Sequence, residues 1–96
     1  MKALPYTVLT TSHFDRQMKK LAPKHPDLPE RFEEAVATLS ADPFNKSNRY
    51  AIKKLEGVPA GEGQYRLRSG RFRFRYDVES LEVVLLYCGL RREDTY

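Results

Sequence analysis

The chain has 96 residues, enough for one domain with a single modest core and too few for two. Lys and Arg number 17 against 13 Asp and Glu, a formal charge of +4 that does not by itself assign a nucleic-acid partner. One cysteine, Cys88, excludes an internal disulfide, and no segment has the apolar length of a signal peptide or a membrane span. A soluble cytoplasmic protein with no membrane partner is expected.

Taken in order, Tyr6–Thr10 is rich in β-branched residues and reads as a short first strand. Thr11 or Ser12 can cap a helix in which Phe14, Met18 and Leu21 form one apolar stripe. The segment PKHPDLP ends it. Asp27 is a candidate cap for a second helix carrying Phe32, Ala35, Val36 and Leu39, which stops at Asp42-Pro43. The pair makes a helical hairpin. After a loop, AIKKLEG reads as a short strand ending at Gly57, and VPAGEG as turns. Two alternating strands follow around Ser69-Gly70. A turn near Glu79-Ser80 leads to Glu82–Cys88, which is apolar on both faces and so belongs inside a sheet. The order predicts an α+β domain: an N-terminal strand, two helices, then a mainly antiparallel sheet of four to five strands with the helices on one face. The whole chain forms that single domain.

Charge is segregated along this chain. Residues 65–76, YRLRSGRFRFRY, hold five arginines and no acid, alternating with aromatic and aliphatic residues. A two-residue turn at Ser69-Gly70 would set Arg68 opposite Arg71, Arg66 opposite Arg73 and Gln64 opposite Arg75, all on one face. Tyr65, Leu67, Phe72, Phe74 and Tyr76 would share the other and meet the helices. An open arginine face is either a solvated surface, with arginine stems covering apolar area, or a platform for phosphate, whose oxygens match the guanidinium fork. Lys53 and Lys54 point to opposite sides, so at most one of them extends the basic face; Lys54 is the candidate. Cys88, Tyr50 and Tyr87 read as packing residues. His13 and His25 have no ligand-spaced partners, so neither a metal nor another cofactor is expected.

The segments KKLEG, GQYRLRSGRFRFRYDV, VVLLYCG and LRREDTY, with FDRQMKKL and LPERFEEAVATLSADP before them, resemble the RelE/ParE superfamily of toxin–antitoxin toxins. The resemblance spans nearly the whole chain and is most specific in its Y-R-L-R-x-G-x-[FY]-R-x-x-Y block. It favours the RelE branch, and so implies a ribosome-dependent mRNA endonuclease that cuts in the ribosomal A site. The implied reaction is metal-independent attack of a ribose 2′-hydroxyl on the adjacent phosphate, leaving a 2′,3′-cyclic phosphate. By motif, Arg73 is the arginine expected to stabilise the reacting phosphate. Arg66 and Arg68 correspond to the basic pair of the preceding strand, Arg91 to the terminal arginine and Tyr96 to the closing tyrosine, a candidate base. Arg71, Arg75, Arg92 and Lys54 are candidate RNA-binding residues. Leu90 stands where many relatives carry histidine. The implied partners are the ribosome with its mRNA and a cognate antitoxin, in a complex for which a heterotetramer is one arrangement. The alternative is a ParE-like toxin that inhibits DNA gyrase without nuclease activity.

Overall fold

The computed structural model of the chain describes residues 5–90. Within them the order is β1 (Thr7–Thr10), α1 (Ser12–Leu21), a 3₁₀ turn (Ala22–Lys24), α2 (Leu28–Ala41), β2 (Ile52–Lys54), β3 (Tyr65–Ser69), β4 (Phe72–Glu79) and β5 (Glu82–Leu90). The five strands form one sheet in the order β1-β5-β4-β3-β2. Only the β1–β5 pair is parallel; the rest are antiparallel. This is the α+β architecture expected from the sequence. The doubly apolar β5 lies inside the sheet, between β1 and β4.

Local chemistry sets the element ends. Thr11 caps α1, its Oγ1 accepting a hydrogen bond from the Phe14 amide at 3.1 Å. Asp27 occupies the corresponding position of α2 without a side-chain cap bond. Beyond α2, Asp42 turns the chain: its carboxylate accepts from the amides of Lys46 and Ser47 and from the Ser47 hydroxyl. The Ser47 hydroxyl bond is the main reason its carboxyl titrates below the ordinary value.

The alternation of β4 divides the molecule into two sides. Phe72, Phe74 and Tyr76 are fully buried with Leu67 of β3, and Val83, Leu85 and Cys88 of β5, beneath Phe14, Leu28, Ala35 and Leu39 of the helices. Phe14 packs on both Phe32 and Phe74, with ring centroids 5.8 and 6.3 Å apart. Each such aromatic side chain contributes roughly 1.5–3 kcal/mol through burial. On the opposite side Arg75 faces Arg66 and Arg73 faces Arg68. Directly opposed like charges cost roughly 0.2–1 kcal/mol per pair, so the aromatic side of the hairpin outweighs them.

That register differs from the expected one. Ser69 pairs with Phe72, so the turn residues are Gly70 and Arg71 rather than Ser69 and Gly70. Gly70 has φ +60°, and a glycine with positive φ at the first turn position suits a type II′ hairpin, whose twist matches the strands. Moving the turn by one residue keeps every side chain still in the strands on its expected face, so alternation could not distinguish the two registers. It removes Arg71 from the strand and sends it toward the start of α2, where its Nε lies 3.7 Å from Asp27 Oδ2.

The Tyr76 hydroxyl donates to the Pro43 carbonyl at 2.7 Å, tying the centre of the sheet to the chain leaving α2. Burial raises the titration of this hydroxyl far above the ordinary tyrosine value. Tyr76→Phe leaves a buried carbonyl unpaired and is expected to cost about 1–3 kcal/mol, measured by urea unfolding.

Candidate nucleic-acid interface

Two rows of residues cross the open face of the sheet. The first runs Lys53 (β2), Arg66 (β3), Arg75 (β4) and Tyr87 (β5), each paired with the next across the strands. The second runs Arg68, Arg73 and Gly89. Arg66 and Arg68 have no carboxylate within ion-pair distance among the described residues, where the ion pairs seen are Arg31–Glu34 and Arg71–Asp27. Arg66 Nε is buried and has no hydrogen-bond partner among the described residues. A buried guanidinium N–H inside a cationic row is a donor that an incoming anion could satisfy.

The lysine on this face is Lys53. Lys54, the expected member, pairs with Tyr65 and places its ammonium 5.9 Å from the centre of that ring, on the opposite side of the sheet. This corrects the assignment of Lys54 to the basic face. Alternation allows at most one of the two to join, and the register of β2 decides which. Arg71 is likewise off the face, in the turn.

Arg75 is on the face but holds the adjoining loop. Its Nη2 donates to the carbonyls of Glu62 and Gly63 at 2.9 Å, and its Nε to Gly63 at 3.2 Å. Two residues along the same strand face, Asp77 accepts from the amides of Gly61 and Gln64 at 2.7 and 2.8 Å. The loop therefore folds over this end of the sheet, gripped through its carbonyls by a cation and its amides by an anion. Gly63 permits the approach: a Cβ there would lie 3.0 Å from Arg75 Cβ, and its φ is +83°. The open part of the face is reduced to Lys53, Arg66, Arg68, Arg73 and Tyr87.

Tyr87 arrives there through an irregularity. Arg75 pairs with Tyr87 but Tyr76 pairs with Leu85, leaving Leu86 as an extra residue in β5. This bulge reverses the alternation of β5 beyond it, so Tyr87 joins the arginines while Cys88 enters the core. Leu90, opposite Phe72, packs partly against the core, so leucine at that position takes no group from the arginine face. Arg91, Arg92 and Tyr96 lie outside the described residues. Among the described residues no group of His, Cys, Asp or Glu is placed to hold a metal ion, and no helix is long and apolar enough to cross a membrane.

A chain of the toxin–antitoxin complex RelBE2 from Mycobacterium tuberculosis superposes with a TM-score of 0.69 and 29% identity, covering 91% of this chain and 99% of that one. A chain of the archaeal RelE–RelB complex from Pyrococcus horikoshii gives a TM-score of 0.66 and 26% identity, covering 91% and 96%. This chain is RelE-like. It carries the RelE/ParE toxin fold over almost the full length of both neighbours. No protein-family model matches the sequence, and a search of curated proteins returns no match.

Cys88 ends as the sequence suggested, 2% exposed, with its thiol pushed up to about 12 by burial. Its folded value lies above the ordinary 9.0, so the stability linked to the neutral thiol is complete below about pH 9 and is lost as pH rises toward 12. Iodoacetamide at pH 8 should label the native RelE-like chain far more slowly than the urea-unfolded chain.

Proposed function

We propose that this chain is the toxin of a type II toxin–antitoxin pair and acts as a ribosome-dependent endoribonuclease on mRNA in the ribosomal A site. The observation that carries the reading is the open cationic face, with the unsatisfied Nε of Arg66 within it, on a RelE-like fold. Both solved neighbours are chains of toxin–antitoxin complexes, which supports a cognate antitoxin as partner. An acidic or amphipathic antitoxin segment, disordered when free, would neutralise the toxin by covering the same face.

In this reading the phosphate to be cut lies across Arg68 and Arg73, with Arg66 and Lys53 holding the RNA backbone on one side. The ribose 2′-oxygen attacks the neighbouring phosphorus and loses its proton, while the 5′-oxygen leaves and gains one. A 2′,3′-cyclic phosphate and a free 5′-hydroxyl result. Negative charge grows on the non-bridging oxygens in the transition state, and guanidinium groups already fixed by strand pairing stabilise it without reorganising. The terminal Arg91 and Tyr96 are assigned by motif to leaving-group stabilisation and proton removal, and Arg92 to RNA binding. No metal enters this scheme.

The test is primer extension on a defined mRNA with programmed ribosomes. The wild-type protein should give a stop within the A-site codon, and Arg73→Ala should slow it about 10²–10³-fold, the usual cost of losing one charge-stabilising group. Growth arrest in cells without any mRNA cut, together with loss of DNA supercoiling by gyrase, would overturn the nuclease and establish the ParE-like reading.

A further inference from the structure

Tyr87 stands on the arginine face only because of the β5 bulge, and Gly89 decides where its ring lies. A Cβ built on Gly89 would fall 2.5 Å from the Tyr87 hydroxyl oxygen and 2.8 Å from ring atoms Cζ and Cε2. The phenol therefore lies directly over Gly89, in space that any other residue would fill, and it buries that glycine. Gly89 is the strand neighbour of Arg73, which is the neighbour of Arg68. Side chains so paired stand about 4.5–5.5 Å apart at Cβ, which brings the hydroxyl into the row of the two arginines. Tyr87 also lines, with His13, Gln17 and Lys20 of α1, a cavity of about 270 Å³ beside the exit of β5.

Glycine inside a strand weakens it, and an aromatic ring laid over it restores some of the packing. Phenylalanine would provide that cover equally well. What tyrosine adds is a polar atom, held above a glycine beside two cations that bind phosphate in the reading above.

We propose that the Tyr87 hydroxyl donates a hydrogen bond to the RNA phosphate held by Arg68 and Arg73. This rests on the arginine face being a phosphate site. It adds a neutral donor, its oxygen positioned over Gly89, to the two guanidinium groups. Phosphate in such a site would be recognised by directed hydrogen bonds as well as by charge, and so would discriminate RNA backbone geometry from simple polyanions.

The experiment measures binding of a fluorescein-labelled single-stranded RNA octamer by anisotropy at low salt, apart from any cleavage. Wild type is compared with Tyr87→Phe, Tyr87→Leu and Gly89→Ala, each checked for an unchanged fold by circular dichroism and thermal melting. Tyr87→Phe should weaken binding about tenfold, the scale of one hydrogen bond to a charged group, with its melting temperature held. Gly89→Ala, which displaces the ring, should do at least as much. In an Arg73→Ala background the Phe substitution should cost clearly less, because the two groups share one phosphate. Wild-type affinity in Tyr87→Phe, with loss only in Tyr87→Leu, would overturn the proposal and leave the ring as a packing or stacking group. Failure of the wild-type protein to bind the octamer would overturn it as well. Intact binding with this pattern but no cut on ribosomes would keep the phosphate site and sink only the nuclease.

Discussion

The structure depends on the two-sidedness of the β3–β4 hairpin. Phe72, Phe74 and Tyr76 must be buried against the helices, and their strand neighbours Arg73 and Arg75 must then face outward, opposite Arg68 and Arg66. A pairing slip of one residue would exchange the two sets and bury guanidinium groups, a cost far above the repulsion of the observed arrangement. The aromatic core thus fixes the cations in position. That rigidity is what electrostatic stabilisation of a reacting phosphate requires, since the charges are placed before the substrate arrives.

The cations do not all serve one purpose. Arg75 and Asp77 hold opposite poles of one loop and fold it over the lower part of the sheet, while Arg71 turns away to meet Asp27. Arg66, Arg68 and Arg73 remain on the open part, joined by Lys53 from the edge strand and Tyr87 across the sheet. A surface that looks in sequence like a uniform arginine stripe is therefore divided between loop support and an open platform. The division comes from which backbone groups each side chain meets after folding.

Much of the architecture was legible in the sequence because local periodicity and core formation agree. The stripe of Phe14, Met18 and Leu21 gave α1, Asp42-Pro43 marked the end of α2, and the Arg/aromatic alternation assigned the faces of β3 and β4. Three features were not legible, each for a physical reason. Both turn positions preserve the faces, so only the demand for a positive φ at Gly70 selects between them. Lys53 and Lys54 are interchangeable until β2 finds its register. The bulge at Leu86 lies in a strand apolar on both sides, where a change of phase leaves no mark, so Tyr87 read as packing. The one local hint was the glycine two residues after it, a small residue on which a ring can rest.

On the proposed function Arg66, Arg68 and Arg73 meet RNA phosphates, while Arg71, turned toward Asp27, does not. The most direct measurement is the salt dependence of affinity for a labelled single-stranded RNA, comparing wild type with Arg68→Gln and Arg71→Gln. Each phosphate contact contributes about 0.7 to the slope of log affinity against log salt. Arg68→Gln should flatten the slope by about that amount, and Arg71→Gln should leave it unchanged. Equal slopes for wild type and Arg68→Gln, or an equal loss in both variants, would contradict it.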